Sequence, residues 1–126
     1  MADTALAQAL RERQLDWIIP AWDAPARVHA FATTRNGGVS DGRQASLDVG
    51  GANFLRDAAD PAAIAENRRR IDALLPAPPV WLEQVHGRCA IVVDDVNAGA
   101  MRASARVADA LVTCCHDLPL AIRVAD

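Results

Sequence analysis

A histidine at the end of a short apolar segment is the residue of this sequence best suited to chemistry. Residues 79–87 read Pro-Val-Trp-Leu-Glu-Gln-Val-His-Gly, and their alternation of side chains predicts a strand with His86 at its carboxyl end. Gly87 follows, and a glycine there allows the backbone to turn away and leave the imidazole open to a ligand. An imidazole in that place binds a metal ion or transfers a proton, whereas a structural histidine is the plainer alternative.

A second candidate site is a glycine-rich loop. The segment 35–51 is rich in Gly, Ser, Asp and Asn, and it is too long for a hairpin turn, which is typical of a functional or a disordered loop. Gly37 and Gly38 would let backbone N–H groups approach an anion, and Arg35 offers a planar guanidinium to a phosphate or carboxylate. The alternative is a surface loop whose arginine pairs with a nearby aspartate.

Several segments, in the same order along the chain, resemble the motifs of one known family. They are Thr-Thr-Arg-Asn-Gly-Gly-Val-Ser at 33–40, Ser-Leu-Asp-Val-Gly at 46–50, Trp-Leu-Glu-Gln-Val-His-Gly at 81–87, Ala-Asp-Ala at 108–110 and Val-Ala-Asp at 124–126. Together they resemble the YfiH-type laccase-domain family, also called multicopper polyphenol oxidases or purine nucleoside phosphorylases. The resemblance extends from Trp17 to Asp126.

This resemblance implies a zinc-dependent purine nucleoside phosphorylase. The expected reactions are phosphorolysis of adenosine, inosine, guanosine or methylthioadenosine and hydrolytic deamination of adenosine, so the partners are a purine nucleoside and phosphate. His86 would be a zinc ligand and catalytic residue, and Arg35, Gly37 and Gly38 would bind phosphate or substrate. A copper-dependent polyphenol oxidase is the weaker alternative, because copper oxidases need several His or Cys ligands.

The chain departs from the family in its metal ligands. The family takes its other two ligands from a Cys directly after Thr-Ala-Asp and from a later Val-His-Ala-Gly-Trp segment, and neither occurs in these 126 residues. Cys89 could chelate with His86 across a turn, whereas Cys114 and Cys115, as neighbours on a strand, would point to opposite faces. We therefore expect this chain alone to bind no zinc tightly and to be inactive. The alternative is a non-catalytic fragment or a module that binds a partner, with the missing carboxyl-terminal half as the expected partner.

Composition and charge narrow the class of protein. The formal net charge is −3 and every basic residue is arginine, which argues against general nucleic-acid binding; the triplet Arg68-Arg69-Arg70 reads as the solvated face of a helix. No apolar run approaches the length of a membrane span, and the start lacks a signal-peptide pattern. Three cysteines, two of them adjacent, do not resemble a secreted disulfide framework, so we expect a reducing cytoplasm.

The apolar pattern predicts an α+β fold in a single partial domain over residues 1–126. An amphipathic helix is expected over 4–15, within a helical extension over 1–16. One principal helix should run from Pro61, capped by Asp60, to about Leu75, with Asn67 on its exposed face. Strands are expected over 28–34, 80–85, 89–93, 107–113 and 118–124, with a turn at His116-Asp117.

The order of these elements sets the expected sheet. Residues 94–105 read as a polar loop, and the strand 89–93 is expected to pair back onto 80–85. The sheet would then be mixed or antiparallel. The resemblance implies a layered α/β sandwich.

Overall fold

The computed structural model describes residues 4–51 and 60–124, which divide into two compact units. The first unit comprises residues 4–50 and 60–74, and the second comprises Gly51 and residues 75–124. The described helices are α1 (Thr4–Glu12), α2 (Pro61–Asp72) and α3 (Ala98–Ala103), and the strands are β1 (Leu82–Glu83), β2 (Ala90–Val92), β3 (Arg106–Val107) and β4 (Ala110–Val112). The class is α+β, as predicted.

Helix α1 is the predicted amphipathic helix, shortened at its carboxyl end. Leu10 is buried on its apolar side. Gln14 takes a left-handed backbone with φ +55°, and the N–H of Leu15 donates to the carbonyl of Leu10 at 2.9 Å. This is the bonding that closes a helix at a left-handed residue, so α1 ends before the predicted Leu15.

Helix α2 begins as its sequence predicts. The Asp60 side chain accepts the N–H of Ala62 at 2.9 Å, and Pro61 is the first helical residue, where its missing N–H costs nothing. The helix ends at Asp72, three residues before the predicted Leu75. The predicted cap of α2 is therefore confirmed, and the helix ends slightly before the predicted residue.

The strand predicted over 28–34 is wrong, because the structure has a single antiparallel bridge there between Ile18 and Ala32. Each of these residues donates its N–H to the other's carbonyl at 2.8 Å. The next hydrogen-bonded pair of such a ladder would place Pro20 opposite Ala30, and proline has no N–H to donate. The pairing therefore stops after one bridge.

The strands of the second unit pair in parallel. Strand β1 pairs with β3 in the register Leu82–Arg106, and β2 pairs with β4 in the register Ile91–Leu111. The prediction that residues 89–93 pair back onto 80–85 is wrong. Parallel neighbours need a crossover connection, usually a helix, and α3 provides one between β2 and β4.

Helix α3 contradicts the predicted loop over 94–105. The Asp94 carboxylate accepts the N–H groups of Val96 and Asn97 at 2.9 Å, while the Asn97 side-chain oxygen accepts the N–H of Asp94 at 3.0 Å. Ala98 and Met101, one helical turn apart, are buried. The segment contains Gly and Asn, which have a weak preference for helix. The reciprocal side-chain bonds at the start of α3 and the burial of its small apolar side offset this weak preference.

The apolar core of the second unit forms around these elements. Its buried members are Val80, Leu82, Val93, Ala98, Met101, Ala108 and Leu118. Ile91 and Leu111 pack against this core from the inner face of the β2–β4 pair, whereas Val92 and Val112 on the outer face are exposed. No helix within the described ranges is both long enough and apolar enough to cross a membrane.

The arginine triplet of α2 is not a uniformly solvated face, so that prediction is wrong. Arg68 donates through Nε to the carbonyl of Val49 at 2.8 Å, and Arg70 donates through Nη1 to the carbonyl of Gly37 at 2.9 Å. Hydrogen bonds from Arg69 and Arg70 lower the pKa of Glu66 to about 2. Two of the three arginines therefore bind the loop that precedes the helix, and Glu66 stays ionised beside them.

Asn67 is the largest departure from expectation in the first unit, because it is fully buried rather than exposed. Its Oδ1 accepts the N–H of Val39 at 2.8 Å. Its Nδ2 donates to the hydroxyl of Ser40 at 2.9 Å and to the carbonyls of Ser46 and Asp48 at 3.2 and 2.8 Å. One amide thus holds two stretches of the loop, residues 39–40 and 46–48, against α2.

Replacing Asn67 with Ala should destabilise the first unit strongly. The change leaves the Val39 N–H and the two carbonyls without their partner, and each buried polar group left unpaired costs about 1–3 kcal/mol. We expect the free energy of unfolding, measured by denaturant titration, to fall by at least about 2 kcal/mol.

The isosteric variant Asn67→Asp separates hydrogen bonding from packing. It keeps the side-chain volume but places an oxygen opposite the carbonyls of Ser46 and Asp48, so it should lose as much stability as Asn67→Ala. A loss below about 0.5 kcal/mol in both variants, which is the range of ordinary surface changes, would refute the role of this amide.

Candidate functional site

His86 lies in a turn that follows strand β1, with an exposed side chain. Its own backbone is left-handed, with φ +59°, so the residue that reverses the chain is His86 and not Gly87, contrary to the expectation. Histidine is among the non-glycine residues found more often in this region. The turn presents the imidazole outward from the end of the strand.

The turn of residues 85–87, called here the His86 turn, is held by one carboxylate. Oδ1 of Asp109 accepts the N–H groups of Val85 and His86 at 2.9 and 2.7 Å, and Oδ2 accepts the N–H of Gly87 at 2.7 Å. A Cβ at position 87 would lie 3.2 Å from that Oδ2. A side chain at position 87 would therefore crowd the carboxylate of Asp109, so Gly87 favours this close approach.

The electrostatics of this contact favour an ionised carboxylate. Desolvation is the largest single influence, and it raises the pKa of Asp109. The opposite effect comes from the N–H groups of Gly87, His86 and Val85 and from the nearby His86 charge. Together these outweigh desolvation, so the pKa of Asp109 lies below its usual value. Hydrogen bonds to an ionised acceptor are stronger than neutral ones. The His86 turn is thus held by charge-assisted bonds.

Other residues of the same motif fix the segment that ends at Val124. The Gln84 side chain donates to the carbonyl of Arg123 at 3.0 Å and accepts its N–H at 2.9 Å. The Arg123 guanidinium donates to the carbonyl of Leu82 at 2.5 Å and lies 6.0 Å from the ring centre of Trp81. This segment therefore lies beside β1, while Ala125 and Asp126 of the predicted closing motif lie outside the described residues.

The described residues do not complete the zinc site that the resemblance implies. A catalytic zinc takes about three protein ligands, and the described part of the chain contains no group of three or more His, Cys, Asp or Glu placed to hold a metal ion. Both oxygens of Asp109 already accept N–H groups, and Cys89, Cys114 and Cys115 carry free thiols. His86 is thus one candidate ligand, and chelation with Cys89 stays a prediction.

Arg35 lies in the first unit, where it closes the glycine-rich loop. Its Nε and Nη2 donate to the carbonyl of Ala45 at 3.0 and 2.8 Å, and its own carbonyl accepts the N–H groups of Ser46 and Leu47 at 2.8 Å. The local partner of the guanidinium is thus a carbonyl rather than the aspartate considered as an alternative. The side chain is exposed, and its binding to phosphate stays a prediction.

Gly37 and Gly38 allow close packing inside the same loop. Gly37 has φ +96°, and its carbonyl accepts a bond from Arg70. A Cβ on Gly38 would collide with the Ser46 carbonyl and lie 2.5 Å from the Cα of Leu47. The N–H of Gly38 donates to the Ser46 hydroxyl at 3.2 Å, so anion binding by these glycines stays a prediction.

The predicted site residues fall in different units. Arg35 and the two glycines lie together in the first unit, and His86 lies with Asp109 in the second.

A small cavity of about 80 Å³ lies in the first unit. Three of its lining residues are acidic, Asp41, Asp48 and Asp60, and the others are Val39, Ser40, Gln44 and Ala63. Clustered negative charge repels an anion, so this cavity does not suit the phosphate expected for the loop.

Sequence reasoning gave no role to Asp109, Gln84 or Arg123. Asp109 lies in the Ala-Asp-Ala segment at 108–110, where Ala108 is fully buried. An acidic residue between small apolar residues of a predicted strand is the available signal, since such a residue must find partners. Those partners lie more than twenty positions earlier in the chain, so the sequence could not identify them.

Comparisons with known proteins are consistent with the motifs. A family model described as multi-copper polyphenol oxidoreductase laccase matches residues 29–126. A protein of Pseudomonas aeruginosa named purine nucleoside phosphorylase is 47% identical over 78 residues, which are 62% of this chain and 31% of that protein. The Escherichia coli purine nucleoside phosphorylase YfiH is 37% identical over 100 residues, 78% of this chain and 40% of its own length.

A solved structure agrees with the fold. The crystal structure of a Neisseria meningitidis protein superposes with a TM-score of 0.73 at 32% sequence identity, covering 88% of this chain and 42% of that chain. The chain thus spans less than half the length of these relatives.

Replacing Gly38 with Ala should destabilise the loop that carries Arg35. The new Cβ meets backbone atoms of Ser46 and Leu47, which cannot rotate away as a side chain would, and overpacking of this kind costs about 1–3 kcal/mol. The measurement is denaturant unfolding followed by circular dichroism.

The matched control is Gly99→Ala in helix α3. A Cβ there meets nothing within 4 Å, so the better helix former should stabilise by about 0.5–1 kcal/mol. Wild-type stability of Gly38→Ala would contradict the close packing described for this loop.

Proposed function

Because this chain belongs to the family described as multi-copper polyphenol oxidoreductase laccase, we propose that it forms part of a purine nucleoside phosphorylase. The observation that carries the proposal is the exposed His86, held by Asp109 inside the matched residues. The names of the relatives support this reaction class. Because the chain covers less than half of those relatives, the proposal concerns the protein expressed from its complete gene.

The proposed reaction takes a purine nucleoside and inorganic phosphate. A phosphate oxygen attacks C1′ of the ribose and the bond to the purine nitrogen breaks. The products are the free base and ribose 1-phosphate, or 5-methylthioribose 1-phosphate when the substrate is methylthioadenosine. Adenosine, inosine, guanosine and methylthioadenosine are the proposed substrates, and hydrolytic deamination of adenosine is proposed as a second activity. The family resemblance supports this range of substrates.

Zinc is the proposed cofactor, with His86 as one of its ligands. Zinc lowers the pKa of a bound water toward neutrality, which suits the water-dependent deamination. Because the described residues hold no group of three such ligands, further ligands must come from outside them. Copper-dependent oxidation of polyphenols is the less favoured function, since a copper oxidase needs still more His or Cys ligands.

Arg35, Gly37 and Gly38 are proposed to bind the phosphate or substrate. Two of the five N–H donors of a guanidinium account for the bonds from Arg35 to Ala45, and the side chain is exposed. Arg70 and the packing of Gly38 hold the loop in one conformation. A rigid loop of this kind loses little entropy on binding an anion.

We also propose a cytoplasmic location, which the three free thiols support. Free cysteines of this kind are typical of a reducing compartment.

Replacing His86 with Ala in the protein from the complete gene should abolish zinc binding and phosphorolysis together. We expect zinc affinity and kcat/KM for inosine to fall by at least about 100-fold, the upper end of the loss seen when a neighbour of a metal ligand is removed. Zinc is measured by chelator competition, and the base is measured by its release in the presence of phosphate.

His116→Ala is the matched control, because His116 is another exposed histidine of the second unit and should leave both quantities unchanged. The 126-residue chain, assayed in parallel, should hold less than one zinc per chain and release no base. Full activity of His86→Ala, or a stoichiometric zinc in the 126-residue chain, would contradict the proposed site.

A further inference from the structure

We propose that Asp109 is the positioning residue of His86, since its carboxylate binds the three successive N–H groups that set the backbone of the His86 turn. The part of this inference that concerns metal binding rests on the proposed function. The structural part does not.

The geometry of the contact is the first argument. Val85, His86 and Gly87 donate to the two oxygens of Asp109 at 2.7–2.9 Å. Successive N–H groups that converge on one anion form a backbone nest. Here the anion belongs to the chain itself, and it comes from a residue more than twenty positions later.

The conformation of His86 is the second argument. A left-handed backbone is disfavoured for a residue that carries a Cβ, and His86 has φ +59°. A residue keeps such a conformation only where its surroundings enforce it. Bonds from Asp109 to the residues on both sides of His86, and to His86 itself, are the enforcing contact within the described residues.

Asp109 is itself rigidly placed, which is the third argument. Its N–H donates to the carbonyl of Cys89 at 3.0 Å, and the N–H of Ala108 donates to the carbonyl of Glu83 at 3.1 Å. The residue thus joins β3 to β4, whose partners β1 and β2 are the strands on either side of the His86 turn. Ala108 is fully buried in the core.

This arrangement fixes the direction in which the imidazole leaves the backbone. A ligand held in its binding direction loses less freedom when a metal ion binds, and removing a residue that orients a ligand typically weakens metal affinity 10–100-fold. Asp109 would therefore act on zinc without touching it.

The experiment compares Asp109→Ala and Asp109→Asn with Asp94→Ala in the protein from the complete gene. Asp94 is the matched control, because its carboxylate also accepts two backbone N–H groups in the second unit, those of Val96 and Asn97. Each variant is first checked for a cooperative thermal transition. Amide hydrogen exchange at residues 85–87 and zinc affinity are then measured.

We expect Asp109→Ala to speed amide exchange of Val85, His86 and Gly87 and to weaken zinc binding, each by about tenfold or more. Asp109→Asn should keep part of the exchange protection and part of the zinc affinity, because its oxygen can still accept the N–H groups of Val85 and His86 while the Gly87 bond is lost. For release of the base by Asp109→Ala, kcat should fall by a larger factor than KM rises. Asp94→Ala should leave these quantities unchanged.

Unchanged exchange at residues 85–87 in a folded Asp109→Ala protein would overturn the inference, as would wild-type zinc affinity in that variant. If the wild-type protein binds no zinc and releases no base, the proposed function fails instead. The exchange measurement then still decides whether Asp109 sets the His86 turn.

Discussion

The contact between the Asp109 carboxylate and three consecutive N–H groups is the constraint on which the second unit's candidate site depends. It makes a left-handed histidine stable at the end of a strand, and it explains the glycine beside it. Two parallel strand pairs hold Asp109 in place. The most local feature of the site, the direction of one imidazole, is therefore determined by a residue far away in the sequence.

In the first unit a neutral side chain, the amide of Asn67, fixes the backbone of a loop. Asn67 accepts the N–H of Val39 and donates to oxygens at three other loop positions from a fully buried position. A buried charge would cost far more than a buried amide whose hydrogen bonds are satisfied. Asp109 is partly exposed and can remain ionised. The difference between amide and carboxylate thus follows the solvent exposure of each position.

The residues of the segment 81–87 have different structural roles. Leu82 is buried in the core, Gln84 bonds to the backbone of Arg123, and Gly87 makes room for Asp109. His86 is exposed, and its imidazole is able to bind a ligand. Most of the motif therefore serves to place one side chain.

What the sequence could predict was local. The Asp60-Pro61 start of α2 and the amphipathic pattern of α1 depend on neighbouring residues, and both were correct. The predicted strand pairing is wrong because the six residues of α3 give a weak helix pattern and read as a loop. Without that crossover, two parallel strands resemble a hairpin. Asn67 and Asp109 were missed because their partners are 19–28 and 22–24 residues away.

Diffraction at the zinc absorption edge, from crystals of the protein expressed from its complete gene, tests the central claim that His86 belongs to a metal centre. The account predicts an anomalous peak about 2.1 Å from a ring nitrogen of His86, with the Asp109 carboxylate bonded to the N–H groups of residues 85–87. A zinc peak bound elsewhere, with the His86 ring outside bonding distance of it, would contradict the account.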